Sequence, residues 1–221
     1  MLDSAVPTRA SNAWRRAASA ESALALVVAS VWMADSAFVL LLFTVDVSEL
    51  MVVASAHALT GRRVCFVGVG LPNIAVNLAK RTVAPEMELV HEAGVFGANP
   101  ARLPLSIGDP TIVTGSTATV SMHDLFGLYL QGGRIDVGFL GAAQLDRFGN
   151  INTTLSKEDG RVRYFNGSAG GNDVASLAKR VIVIMRHEKR KLPKAVAHLT
   201  SPGFPGGHAR AELGLRGSGT H

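Results

Sequence analysis

The sequence predicts an α/β fold: an open, mostly parallel sheet covered by helices on both faces. Two observations carry this. Short apolar runs alternate with helix-period segments from about residue 48 onward. Several of those runs end directly in glycine-bearing loops, as in Val67-Gly68-Val69-Gly70 and Leu140-Gly141. In such sheets ligands bind beyond the carboxyl ends of the strands. Those loops are therefore the first place to look for a site.

The elements follow in order. Ser48–Leu59 has apolar residues at helical spacing, with Ser48 as the expected N-cap. Val64–Val67 is a short β-rich run. Leu71 and Pro72 then open a helix over Asn73–Lys80, and Lys80-Arg81 suit its C-terminal dipole. Glu88–His91 is the next strand, and Thr111–Thr114 (TIVT) is read as another. Ser121–Leu130 reads as a helix ended by Gln131-Gly132-Gly133, and Ile135–Leu140 as a buried strand. A turn-rich stretch, Asp146–Asn150, comes next. Asp173–Leu177 continues toward Lys179-Arg180 as a helix, and Val181–Met185 is a buried strand.

The bulk numbers bound the answer. A chain of 221 residues is long enough for one α/β domain with a full core and short for two. Hydrophobic residues make up 48% and charged residues 18%, which argues against disorder. The formal net charge is +5, with much of the excess in Arg186–Lys191 and Lys194. That run reads either as a solvated loop or as a patch for an anionic ligand. Nucleic acid is not expected, because basic and aromatic residues do not interleave. The single cysteine, Cys65, excludes an internal disulfide and a zinc quartet of cysteines. It reads as a small buried thiol, consistent with a reducing cytoplasm.

Residues 1–47 differ from the rest. Residues 22–43 are largely apolar with one charge, Asp35, and Arg9, Arg15 and Arg16 precede them. Three readings stand: an extension without a folded role, a targeting or anchoring segment, and an added helix. Asp35 counts against a membrane span, because a lone carboxylate is costly in lipid. No membrane partner is expected. The domain pattern begins at Ser48, so residues 1–47 are expected to stand apart from a domain at 48–221.

Three motifs carry chemistry. Gly68-Val69-Gly70-Leu71-Pro72 is a tight turn or a ligand loop; its third glycine position is Asn73, so it is not a full dinucleotide motif. Glu92, in His91-Glu92-Ala93-Gly94, stands at a strand end beside a glycine. A carboxylate there serves as nucleophile or base, or is simply solvated. His91 reads as structural. Gly167-Ser168-Ala169-Gly170-Gly171 precedes a helix and is either a flexible loop or a place where backbone N–H groups meet an oxyanion.

Taken together and in order, these fragments resemble the B subunits of family I CoA-transferases, such as those of glutaconate CoA-transferase. The resemblance runs through Val67–Pro72, Ala79-Lys80-Arg81, Ala84-Pro85, Glu92-Ala93-Gly94, Pro104–Asp109, Leu140–Asn152, His187–Arg190 and Thr200–Gly203. It implies a Rossmann-like CoA-transferase fold and a cytoplasmic hetero-oligomer with an A-type subunit. It also implies CoA as a substrate and no permanently bound cofactor or metal. By the same resemblance Glu92 is the nucleophile, forming a glutamyl-CoA thioester between an acyl-CoA donor and a carboxylic acid acceptor. Candidates for oxyanion or CoA binding are Gly68, Gly70, Gly94, Gly141, Ala142, Gln144, Gly170 and Gly171. A thioester or ring-opening hydrolase of the same fold is the alternative.

The sequence departs from the family pattern at Ala142, which stands for a glycine in Gly141-Ala142-Ala143-Gln144, and at Ala169. The Leu155–Arg161 connector and the segment after Phe204 read as shortened.

Overall fold

The computed structural model describes residues 45–158, 160–204, 208 and 210–214. The apolar segment 22–43 lies outside the described residues. Among the described residues no helix is long and apolar enough to cross a membrane.

The first helix, α1, spans Val47–Ala58. Its N-cap is Asp46 and not Ser48. The Asp46 carboxylate accepts the Ser48 N–H at 3.2 Å, and Glu49 reaches back to the Asp46 N–H at 3.0 Å. This reciprocal capping box satisfies orphan donors of the first turn, and Ser48 is left inside it.

Strand β1 (Val64–Val67) leads through Gly68-Val69-Gly70 into α2 (Leu71–Arg81), which has Pro72 in its first turn and Lys80 and Arg81 in its last. Strand β2 (Glu88–His91) turns directly into β3 (Val95–Phe96), and β4 (Ala118–Thr119) follows. Between β3 and β4 the run Thr111–Thr114 is not a strand. Residues Pro110–Val113 form a 3-10 turn whose N-cap, Asp109, accepts the Thr111 N–H at 2.9 Å. Asp followed by Pro specifies a helical start and overrides the β-branched run.

Ser121 caps a one-turn α3 (Met122–Asp124) as its hydroxyl accepts the Asp124 N–H. The segment then widens into a π-helix over Leu125–Leu130. Strand β5 (Val137–Gly141) follows, then the hairpin β6 (Gln144–Leu145) and β7 (Ile151–Asn152). The buried Asp146 carboxylate holds the turn between them by accepting the N–H groups of Phe148 and Asn150. The stretch read as a short connector is a second hairpin, β8 (Leu155–Glu158) with β9 (Arg161–Tyr164). Helix α4 (Gly171–Leu177) and β10 (Arg180–Ile184) close the sheet.

The main sheet has the order β10-β5-β1-β2-β3-β4. The first four strands are parallel, and β3 and β4 run antiparallel at one edge. Alternation along the strands feeds two cores. Cys65 and Val67 of β1, Leu89 of β2 and Val137 and Phe139 of β5 pack with α1 and α2. Phe66 and Val90 face the other way, against Leu125 and Leu130 of the π-helix and Val174 of α4. Both faces are therefore covered, as the sequence predicts. Each fully buried large side chain contributes roughly 1.5–3 kcal/mol. Cys65 is a buried thiol, and its burial raises its pKa well above the ordinary thiol range.

Asp136 ties the amino ends of the strands together. It accepts the N–H groups of Arg63 and Val64 and an ion pair from Lys179 at 2.8 Å. Among the described residues no such clamp ties the carboxyl ends, at the opposite edge.

His91 ends β2 in the core, and its Nε2 has no hydrogen-bond partner among the described residues. Burial pushes its pKa down from 6.5 to about 4. Between those values the unfolded chain binds a proton that the folded chain refuses, so stability falls as pH drops through that window. Denaturant titrations across it are expected to show a slope from this group of up to about 1.4 kcal/mol per pH unit, absent in His91→Gln.

Candidate active site

The topology places a crevice between β1 and β5. The connection from β1 runs by α2 to β2 on one side, and β5 connects toward β10 on the other. Their loops part, which is the topological switch point of an open α/β sheet. A cavity of about 650 Å³ lies there. It is within the usual size of small-molecule sites, roughly 300–1,000 Å³. Val67-Gly68-Val69 and Leu140–Ala143 form two of its walls, and Phe165–Gly171 forms a third.

Glu92 enters from the end of β2. It occupies a three-residue hairpin turn in which the Gly94 N–H donates to the His91 carbonyl at 2.9 Å. Gly94 has φ +87, and a Cβ there would lie 2.0 Å from the Val120 carbonyl oxygen. Only glycine closes this turn. The turn lifts the half-buried Glu92 side chain into the cavity, where its Oε1 accepts the Gly170 N–H at 3.1 Å. Its Oε2 has no hydrogen-bond partner among the described residues.

Gly170 is small for a reason. A Cβ there would sit 2.8 Å from Glu92 Oε1 and 2.6 Å from Phe126 Cζ. Phe126 belongs to the π-helix and stacks edge-on against Phe66 of β1, with ring centroids 5.7 Å apart. Gly138 allows α4 to approach β5, because a Cβ there would fall 2.5 Å from Val174 Cγ1. Together these contacts fix the Gly167–Gly171 loop over Glu92.

Six of the nine expected residues line the cavity: Gly68, Glu92, Gly141, Ala142, Gly170 and Gly171. Three do not. Gly70 is the N-cap of α2 with φ +84, Gly94 closes the hairpin turn, and Gln144 lines a smaller neighbouring pocket. Several backbone donors are already used. The Gly68 N–H bonds the Phe139 carbonyl at 3.0 Å and the Gly171 N–H bonds Ser168 at 2.9 Å. The unpaired cavity N–H groups include those of Val69, Ser168 and Ala169, which have no partner among the described residues. Val69 was not legible as a site residue. Its signal is position alone, one residue past the glycine at which β1 leaves the sheet.

The lining decides the chemistry. Glu92 is the one carboxylate among the described residues that line the cavity, and no histidine, lysine or cysteine lines it. The hydroxyls of Thr153, Ser168 and Ser201 have no imidazole or amine there to take a proton. A carboxylate attacks without such a base. Val69, Ile107 and Tyr164 stand at the cavity 40%, 48% and 74% exposed, so apolar surface rims its mouth.

Among the described residues the cavity thus brings one carboxylate and unpaired backbone donors together at the switch point. The coenzyme A transferase family matches residues 49–214, and the chain belongs to that family. It is 45% identical over 174 residues to the B subunit of 3-oxoadipate CoA-transferase from Pseudomonas knackmussii, covering 78% of this chain and 67% of that protein. It is 33% identical over 177 residues to the B subunit of glutaconate CoA-transferase from Acidaminococcus fermentans, covering 76% and 65%. The crystal structure of glutaconate CoA-transferase from the same organism superposes with a TM-score of 0.72 at 32% identity, covering 80% of this chain and 71% of that one. The chain thus spans about two thirds of the length of these curated relatives.

Ala169 has φ +42, a left-handed conformation that costs an L-residue roughly 1–2 kcal/mol. Ala169→Gly is expected to raise stability by about 0.5–1 kcal/mol, after the entropy that glycine adds to the unfolded chain. Equilibrium unfolding in urea checks this; an unchanged or lower stability contradicts the strain.

Proposed function

We propose that the chain is the glutamate-bearing B-type subunit of a heteromeric CoA-transferase, with Glu92 as the nucleophile. The observation that carries this is Glu92 itself, the one carboxylate among the described cavity residues, with one oxygen held by Gly170 and the other free. Glu92 Oε2 attacks the carbonyl of an acyl-CoA, and the C–S bond breaks. A mixed anhydride and a CoA thiolate result. The thiolate then attacks the glutamyl carbonyl of the anhydride, releasing the donor acid and leaving a glutamyl-CoA thioester. An acceptor carboxylate attacks that thioester, giving a new anhydride and thiolate. The thiolate takes the acyl group and frees Glu92.

Each attack puts negative charge on a carbonyl oxygen. The free N–H group of Val69 is suited to receive it. A carboxylate is a weak nucleophile and the anhydride lies uphill, so binding energy from the distant part of CoA must be realised at the reacting carbon. Holding Glu92 by one hydrogen bond supplies part of the positioning. The exposed Val69, Ile107 and Tyr164 at the mouth support an A-type subunit closing the cavity, and both curated relatives are themselves B subunits. The acid served is a small carboxylic acid, for which the relatives' names suggest an oxo or unsaturated dicarboxylate.

The test uses the complex with an A-type subunit. Acyl-CoA alone is expected to leave CoA on this chain, read as a CoA-sized gain in intact mass. Glu92→Gln keeps the hydrogen bond to Gly170 and is expected to form no adduct. A gain that persists in Glu92→Gln overturns the assignment. Gly170→Ala drives a methyl against the carboxylate and is expected to slow adduct formation by about tenfold to 100-fold. An unchanged rate would show that the Gly170 contact does not position Glu92.

A further inference from the structure

A second, smaller pocket of about 170 Å³ lies behind the wall Ala142-Ala143, next to the cavity that holds Glu92. Both share Arg163. Its charged lining consists of hydrogen-bond donors alone. Arg163, Arg190 and Lys191 bring three positive charges, and no carboxylate lines it among the described residues. Glu188 stands behind it, pairing Arg190 Nε at 2.8 Å and Lys191 Nζ at 3.9 Å, so it offsets part of that charge and orients both side chains.

Gln144 Oε1 already accepts from Asn152 Nδ2 at 2.8 Å and from the Ala197 N–H at 3.0 Å. The amide N–H groups are what Gln144 has left to offer. Ser156 is only 3% exposed, and its Oγ has no hydrogen-bond partner among the described residues. A buried hydroxyl without a partner costs roughly 1–3 kcal/mol unless something fills the gap. Ser156 and Arg163 are cross-strand partners in the β8–β9 hairpin, which sets the hydroxyl and the guanidinium on one face.

We propose that this pocket binds an oxyanion group of the substrate held in the neighbouring cavity. The assignment rests on reading that cavity as a CoA-transferase site. At about 170 Å³ the pocket is below the size of a site for a whole cofactor and takes one small charged group with its water. Two sources carry such a group: a phosphate of CoA and the second carboxylate of a dicarboxylic acid. The basic run Arg186–Lys191 thereby gains a use, because Arg190 and Lys191 meet Arg163, which lies distant in sequence.

The experiment is calorimetric titration of the full chain with CoA, with CoA lacking its ribose 3′-phosphate, and with glutarate. Wild type is compared with Ser156→Ala and with Arg163→Gln/Lys191→Gln. Weakening of at least one ligand by about tenfold is expected in both variants, since hydrogen bonds to charged groups carry that much. A loss for CoA with glutarate unchanged marks a phosphate as the occupant. If the truncated CoA is then insensitive to both variants, it is the 3′-phosphate. A loss for glutarate alone marks the carboxylate. Unchanged affinities, or a wild-type chain that binds none of the three, overturn the proposal. So does a loss in the double variant with Ser156→Ala unaffected, because diffuse charge would do the same. A wild-type complex that forms no CoA adduct defeats the reading of Glu92 and leaves these binding outcomes as they stand.

Discussion

The site exists because the chain's winding through the sheet reverses between β1 and β5. Both strands are parallel neighbours, yet the chain leaves their carboxyl ends toward opposite sides. No crossover helix can cover the gap between two loops that part in this way. The same parting takes Val69 out of the hydrogen-bonded ladder, so its N–H group is left unpaired at the crevice among the described residues. At the other edge Asp136 gathers Arg63, Val64 and Lys179 and closes the sheet. One edge is stitched and the other is available, and the difference is topological before it is chemical.

Glu92 depends on that frame through three separate parts of the chain. Its own hairpin turn, closed by Gly94, sets its height above the sheet. The π-helix brings Phe126 against the Gly167–Gly171 loop, and the missing side chain at Gly170 leaves room for the carboxylate oxygen. One wide turn of helix is a small departure from regular geometry, and such departures gather at functional sites. The hydrogen bond from Gly170 joins residues 78 apart in sequence. It restrains one oxygen and leaves the other without a hydrogen-bond partner among the described residues.

Much of this was legible in the residues. The apolar runs Val64–Val67, Glu88–His91 and Val181–Met185 fall within a residue of observed strands, because buried parallel strands cannot disguise their hydrophobicity. Glu92 was legible as a strand-end carboxylate beside glycine, and its role is what the family resemblance implies. Other features were not. Thr111–Thr114 looks like a strand, and only the Asp109-Pro110 pair ahead of it specifies a turn. Ser48 looks like a cap, but Asp46 with Glu49 makes the stronger one. Two-residue strands such as β3 and β4 carry too little periodicity to detect. Ser156, Arg163, Arg190 and Lys191 come together only through the hairpin β8–β9 and the loop after β10, contacts that no local pattern announces.

The central claim is that an oxygen of Glu92 becomes covalently bound to the acyl carbon during transfer. It follows that the acceptor acid must hand one of its own oxygens to the enzyme. Its carboxylate attacks the glutamyl thioester, and when the thiolate removes the acyl group the bridging oxygen stays on the glutamate. The most direct measurement is a single turnover of the complex with an acceptor acid labelled in both carboxylate oxygens with oxygen-18, followed by peptide mass analysis of the segment containing Glu92. The account predicts one oxygen-18 on Glu92. A turnover that forms labelled acyl-CoA and leaves Glu92 unlabelled would contradict it.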